Sequence, residues 1–163
     1  MSMATNALRL QLILMLFGFL LMGCERHEDE QEVLNVVNDG IAMLEEQKVG
    51  KSMRLTTGDF LAHPGKMGRM ATSRKLMAFF RGKSDIRILH PEPDVEILEA
   101  GDAALVSMPF VIARKGAEAE YLAKLEDDPG AWAVAASKYT SVQNVELSLV
   151  KQKGRWLIRT VRF

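Results

Sequence analysis

The amino-acid sequence predicts an α+β fold in which N-terminal helices pack on an antiparallel sheet. Between residues 28 and 48, apolar side chains recur every three or four positions, which is the spacing of a helix with one buried face. From Asp85 onward, apolar residues alternate with polar ones, as in strands with one buried face. The chain ends in two alternating segments joined by Lys153-Gly154, and this arrangement predicts a closing hairpin.

The N-terminal segment has the pattern of an export signal. Leu10–Met22 is an apolar run of about 13 residues, too short to span a hydrocarbon core of about 30 Å but suited to a secretory signal. It ends in Leu21-Met22-Gly23-Cys24, and the chain becomes strongly polar from Glu25. This segment resembles the lipobox of bacterial lipoproteins, although Met22 replaces the small residue that is usual there.

The resemblance implies that the chain is cleaved between Gly23 and Cys24 and that Cys24 is acylated, which anchors the protein to the lipid bilayer. Glu25, rather than aspartate, follows the cysteine, and by analogy with enteric sorting this favours the outer over the inner membrane, facing the periplasm. The alternative is an uncleaved signal anchor in which Cys24 is a free thiol. The expected division is a signal peptide, a lipidated tether and a single domain: 1–23, 24–32 and 33–163.

Three helical or turn segments are predicted before the strands begin. Glu28–Lys48 is predicted to form an amphipathic helix with its acids in the first turns, which suits the helix dipole. Lys51–Leu61 is predicted to form a short helix or a turn. A third helix is predicted to be capped by Thr72 or Ser73 and to run to about Arg81.

The predicted strands begin with Ile86–Leu89, Asp94–Leu98 and Asp102–Ala113, the last two forming a hairpin. Pro109 cannot donate a backbone hydrogen bond, so it requires a strand edge or a bulge. The closing hairpin joins Val145–Lys151 to Arg155–Phe163. In that last strand the alternation places Trp156 and Ile158 on one face and these residues on the other: Leu157, Val161 and Phe163.

An alanine-rich segment interrupts the strands. Ala117–Glu126 and Pro129–Tyr139 are helix-prone, and Asp128 followed by Pro129 matches a helix cap with proline at the first position. We therefore predict a helical insert within a hairpin. The alternative is a strand through Ala131–Ala136.

Composition and charge exclude some functions and leave others open. The net charge of zero gives no reason to expect nucleic acid, and one cysteine with three separated histidines predicts no metal or other cofactor. The sequence contains no glycine-rich phosphate loop and no Gly-x-Ser-x-Gly motif. The charged residues of segment 25–47 are mostly acidic, and those of segment 48–87 are mostly basic. This segregation indicates either a basic surface for an anionic partner or helices that neutralise each other.

The order of helices followed by an antiparallel meander resembles the nuclear-transport-factor-two-like (NTF2-like, or SnoaL-like) superfamily. The segments that carry the resemblance are Asp39-Gly40-Ile41, Gly58-Asp59-Phe60 and above all the closing Leu147–Phe163. The resemblance implies a cystatin-like roll, in which a curved sheet wraps around the helices to form a cone with an apolar pocket.

The same resemblance suggests where chemistry would occur. Enzymes of the superfamily, such as ketosteroid isomerase and SnoaL cyclases, use a pocket aspartate, sometimes with histidine or tyrosine. The candidates for such polar pocket residues are Asp59, His63 and Tyr139, but each also suits a turn or loop. No convergent acid–base pair is evident, so we expect no catalytic residue. We expect a non-catalytic protein that binds a small apolar ligand or an envelope protein, the alternative being an enzyme with Asp59 or His63 as general base.

Overall fold

The computed structural model describes residues 26–83, 85–138 and 142–163 of the chain. Helix α1 occupies residues 26–45, and the other elements follow in chain order: α2 Val49–Ser52, a 3₁₀ turn Met53–Leu55, β1 Thr56–His63, α3 Arg69–Phe80, β2 Ile86–Leu89, β3 Asp94–Ile97, β4 Ala103–Arg114, α4 Ala117–Ala123, α5 Pro129–Ala136, β5 Gln143–Gln152 and β6 Arg155–Arg162. Within these ranges, no helix is both long and apolar enough to cross a bilayer.

The six strands form one sheet in the order β1-β6-β5-β4-β2, with β3 pairing with β4 beside β2. All neighbours are antiparallel except β1 and β6, which are parallel. The main core lies where α1 packs on the inner face of this sheet, with Val33 and Val37 of the helix against Val106, Leu149 and Trp156. The predicted α+β fold, with helices packed on the sheet, is confirmed.

Polar contacts hold the start of α1 to strands β3, β5 and β6 of the sheet. The Arg26 guanidinium donates to the Ile97 carbonyl at 2.9 Å. The Asp29 carboxylate accepts hydrogen bonds from the Lys151 ammonium and, at 3.2 Å, from the Trp156 indole N–H. Further along the helix, Glu45 forms an ion pair with Arg87 of β2 (Nε to Oε1, 3.3 Å). Among the described residues, Asp29 and Glu45 of α1 thus pair with bases of the sheet, and no ion pair joins α1 to α3.

The prediction of a helix or turn over Lys51–Leu61 is wrong from Thr56 onward, where strand β1 begins. Its sequence, TTGDFLAH, contains the β-branched pair Thr56-Thr57, and Phe60 and Ala62 are buried two positions apart, as a strand requires. The parallel partner β6 lies about 100 residues away, so the short segment has no local partner to indicate it.

Helix α3 begins earlier than predicted. Its N-cap is Gly68, and its first residue is Arg69. The predicted cap Thr72 lies inside the helix, where its hydroxyl donates to the Met67 carbonyl at 3.2 Å. Serine and threonine can satisfy their hydroxyls in this way within a helix, so the cap prediction at Thr72 or Ser73 is wrong.

A bulge in β6 reverses the predicted faces of the last strand. Ser148 pairs with Thr160 and Leu149 with Ile158, so Arg159 is the extra residue. Because one extra residue exchanges the two faces beyond it, Val161 and Phe163 share the inner face with Ile158. The prediction that Val161 and Phe163 lie opposite Ile158 is therefore wrong.

Pro109 and the helical insert behave as the sequence requires. On one side of β4, Pro109 pairs with Asn144 of β5. On the other side, it lies between the residues of β4 that pair with β3 and those that pair with β2. It is thus locally at a strand edge, where its missing N–H costs nothing. Between β4 and β5, α4 and α5 confirm the helical insert, and Asp128 caps α5 by accepting from the Ala131 amide at 2.9 Å. The alternative strand through Ala131–Ala136 is not formed.

Candidate functional site

A cavity of about 630 Å³ lies between the second half of α1, the α2–α3 region and the inner face of the sheet. Pockets of this volume hold drug-sized ligands. Its walls are almost entirely apolar, and the residues that line them are Val37, Gly40, Ile41, Leu44, Ser52, Met53, Thr56, Phe60, Ala62, His63, Pro64, Met67, Thr72, Lys75, Leu76, Phe79, Ile88, Met108, Phe110, Val145, Leu147, Ile158, Val161 and Phe163.

Each wall follows from the periodicity of its element. On α1, Val37, Ile41 and Leu44 are spaced by four and three residues, so they lie on one side of the helix. The strands contribute alternate residues, for example Met108 and Phe110 of β4. The cavity is the part of the space between helices and sheet that side chains do not fill. Because the residues facing it from both sides are apolar, it is a poor environment for a charged group.

The hydroxyl groups in the cavity wall are already satisfied by the backbone. Ser52 donates to the Val49 carbonyl at 2.9 Å, and Thr56 donates to the Met53 carbonyl at 2.8 Å. The Thr72 hydroxyl is satisfied in the same way within α3. These three residues therefore add little polarity to the cavity. The lining side chains that retain polar groups for a ligand are those of His63 and Lys75.

Exposed aromatic side chains mark the mouth of the cavity. Phe79 of α3 and Phe163 at the chain end both line it, and they are 40% and 64% exposed. Phe163 packs edge-to-face on Phe110, with ring centroids 6.3 Å apart. The ammonium of Lys83 lies 3.4 Å from the centre of the Phe79 ring. Apolar side chains at an opening are costly to hydrate and favour an occupant that covers them.

The residues predicted for the site differ in their position relative to the cavity. His63 lines the cavity, half-buried at the end of β1. Asp59 is exposed, does not line the cavity, and accepts a hydrogen bond from the Arg159 guanidinium at 3.2 Å. Tyr139, together with Gly23 and Cys24, lies outside the described residues. The structure therefore brings only His63 of these residues to the cavity among those it describes.

Sequence reasoning missed Lys75 and the mouth aromatics. On α3, Thr72, Lys75, Leu76 and Phe79 are spaced as i, i+3, i+4 and i+7, so they share the face that lines the cavity. This spacing could have identified Lys75, but the sequence does not show which face meets open space. Phe80, the next residue of α3, packs in a separate cluster with Val49 and Ile86.

The chemistry available in the cavity is limited. None of its described lining residues is an acid or a tyrosine, so no carboxylate or phenol side chain lines the cavity with His63. The described residues also contain no cluster of three or more side chains suited to hold a metal ion. An apolar chamber whose described lining has one imidazole and one ammonium is suited to binding a largely apolar molecule.

Comparisons with solved structures establish the fold. No protein-family model and no curated protein matches this sequence. An NTF2-like protein with a cystatin-like fold from Novosphingobium aromaticivorans superposes with a TM-score of 0.52 at 16% identity, covering 99% of this chain and 88% of that chain. A protein from the same organism, provisionally described as a scytalone dehydratase, gives a TM-score of 0.61 at 11% identity, covering 86% and 85%.

A third structure, from Shewanella frigidimarina and provisionally described as a ketosteroid isomerase, gives a TM-score of 0.55 at 17% identity, covering 78% of this chain and 90% of that chain. Together these likenesses show that the chain has the cystatin-like fold of NTF2-like proteins, as the closing hairpin indicated. The fold serves many unrelated functions, so it does not by itself assign one here.

Proposed function

We propose that this chain is a bacterial lipoprotein, tethered to a membrane through Cys24 and facing the periplasm, that binds a small apolar molecule without catalysis. The observation that carries the binding proposal is the cavity of about 630 Å³, whose wall hydroxyls are all bonded internally. Transfer of an apolar molecule from water into a cavity with such walls is favourable, because apolar surface of both is removed from water.

The tethering half of the proposal is supported by the sequence alone. Leu21-Met22-Gly23-Cys24 stands where an apolar run meets charged chain, and Cys24 is the single cysteine. A burial free energy of about 0.8 kcal/mol per CH₂ makes two or three acyl chains a stable anchor where one would be marginal. With Glu25 after the cysteine, we propose the outer membrane over the inner one.

Ligand binding is preferred to docking of an envelope protein because of the open cavity. A protein whose role was to present a surface would gain stability from a core filled to ordinary density, since an unfilled space forfeits dispersion contacts. Here apolar residues of helix and sheet, such as Ile41 and Val161, face the same space. An open chamber of this kind is explained by an occupant.

A second candidate is an enzyme of the ketosteroid isomerase type, and one observation favours it: His63 lies in the cavity wall. A general base must reach the proton that it removes. Of the two predicted bases, Asp59 and His63, His63 lines the cavity and Asp59 does not. Replacement of His63 by alanine separates the two functions. It would abolish turnover by an enzyme, whereas a binding protein would retain its apolar molecule.

Mass spectrometry of the protein extracted with its native membrane tests both halves of the proposal. We expect a chain that begins at acylated Cys24 and carries a small apolar molecule. Retention of Met1, or an unmodified thiol at Cys24, would contradict the tethering.

The cavity-blocking variant Ile41→Trp should lose the molecule. The control Leu105→Trp, on the outer face of β4 where Leu105 is 46% exposed, should keep it. Equal small-molecule content in both variants would contradict binding in the cavity.

A further inference from the structure

We propose that the molecule bound in the cavity is an amphiphile with one anionic group, and that Lys75 holds this group at the mouth. The inference rests on the proposed binding function and specifies its ligand class. It follows from the position of Lys75 among the lining residues, from the absence of an acid to neutralise it there, and from the charge of the helix that carries it.

Lys75 belongs to the cavity by its place on α3. It follows Thr72 by three residues and precedes Phe79 by four, and both of these residues line the cavity. Phe79 is half-exposed at the mouth, so the neighbouring Lys75 lies between the apolar interior and solvent. A lysine in this position packs its methylene stem along the apolar wall and keeps its ammonium at the water boundary.

The charge of Lys75 is not neutralised within the fold as described. No ion pair of Lys75 is formed among residues 26–83, 85–138 and 142–163, and no lining residue is acidic. Helix α3 itself, RMATSRKLMAFF, contains three bases and no acid. The mouth therefore lies beside a helix of positive charge, which attracts anions and repels cations.

The lining also limits how much polarity the ligand carries. Because the hydroxyls of Ser52, Thr56 and Thr72 are bonded internally, a polar group deep in the cavity would lose its water without gaining a partner. A polar group at the mouth has the ammonium of Lys75 as a partner. A ligand with an apolar body and one terminal anion, of the fatty-acid type, satisfies both conditions.

The test compares a carboxylate with its neutral counterpart at the same site. The full chain in phosphatidylcholine nanodiscs, which carry no net negative charge, is photolabelled with a diazirine analogue of dodecanoate, and the labelled residues are located by mass spectrometry. Dodecanoate and dodecanol then compete with the label at pH 8. An ion pair at an exposed position predicts a preference for dodecanoate of about two- to fivefold.

Variants at neighbouring positions isolate the role of the ammonium. Lys75→Met should remove the preference by weakening dodecanoate alone, and Lys75→Arg should preserve it. The control Arg74→Met removes one positive charge from the same helix at an exposed position outside the lining, so the preference should remain. Since Lys75 is exposed, none of these changes disturbs the core.

The outcomes distinguish the inference from the function on which it rests. Labelling of α3 and β6 with the expected preference, lost only in Lys75→Met, supports both. Equal competition by dodecanoate and dodecanol overturns the anionic ligand and leaves apolar binding standing. A preference for dodecanoate that survives Lys75→Met overturns the role of Lys75. An equal loss of preference in Arg74→Met assigns it to the general charge of α3 and overturns the role of Lys75. Absence of cavity labelling overturns the binding function itself.

Discussion

Removal of the Asp29 side chain should measure how strongly α1 is held to the sheet. The Asp29 carboxylate is only 16% exposed and accepts hydrogen bonds from Lys151 and Trp156. In Asp29→Ala the indole N–H of Trp156, a residue 3% exposed, loses this acceptor. The Lys151 ammonium keeps other partners, including Glu32 at 4.0 Å.

The magnitude follows from the kind of bond that is lost. A hydrogen bond to a charged group contributes about 1.5–3 kcal/mol, and a buried donor left without a partner costs about 1–3 kcal/mol. Because the pair is partly solvated and Lys151 is not left alone, we expect the lower part of this range, about 2 kcal/mol, for Asp29→Ala. Asp29→Asn retains an acceptor for Trp156 and loses the charge, so about 1 kcal/mol is expected.

The loss should depend on pH in a defined direction. The hydrogen bond from Lys151 lowers the pKa of Asp29 below its ordinary value of 3.8, against the opposing effect of burial, and the bond from Trp156 adds to the lowering. The carboxyl therefore takes up a proton more readily in the unfolded state. Its contribution to stability is fully present above pH 3.8 and disappears as the pH falls through the lower folded pKa. The difference between wild type and Asp29→Ala should shrink accordingly.

Urea unfolding, followed by tryptophan fluorescence at pH 7 and pH 3, measures these differences. Glu46→Ala is the control, because Glu46 also has a pKa lowered by a lysine, Lys48, but lies exposed beside it. We expect no measurable change in its unfolding midpoint at pH 7. Equal stability of Asp29→Ala and wild type at pH 7 would refute the reasoning. A loss that is as large at pH 3 as at pH 7 would show that the carboxylate charge is not what holds the helix.

Three further substitutions should change the urea midpoint by predictable amounts. Gly40→Ala should stabilise the chain by about 0.5–1 kcal/mol, because the new Cβ lies an unstrained 3.7 Å from Leu55; a decrease would place Gly40 under steric constraint. Asp128→Ala removes the cap of α5 and should cost about 1 kcal/mol, with an unchanged midpoint counting against the cap. Leu149→Ala shortens a side chain that is 0% exposed and should lower the free energy of unfolding by about 2–5 kcal/mol. A loss below about 1 kcal/mol would mean that the core closes around the smaller side chain.

The sequence predicted the elements whose partners lie nearby in the chain. The β5–β6 hairpin turns at Lys153-Gly154, and α5 begins at a local cap, so short-range patterns were sufficient for both. Strand β1 was missed because its pairing with β6 is non-local. The bulge at Arg159 was missed because alternation alone cannot show where one extra residue enters a ladder.

The cavity was less predictable than the fold. Residues such as Ile41, Leu76 and Met108 have the apolar spacing of an ordinary core, and only the distance between helix and sheet shows that they face open space. His63 was a candidate by residue type, and the structure places it in the wall. Lys75 was hidden because a lysine on a helix surface looks the same in sequence whether it borders a cavity or bulk solvent.

The contacts of Arg26 with the sheet limit how far the domain can move from its proposed anchor. Two Cα–Cα steps of about 3.8 Å separate Arg26 from Cys24, so an acylated Cys24 would lie within about 8 Å of a residue bonded to β3. At about 1.5 Å per residue along α1, the cavity wall begins at Val37, only about 17 Å further on. With Cys24 as the proposed anchor, the domain would lie near the bilayer, and any ligand exchange would occur close to the lipid surface.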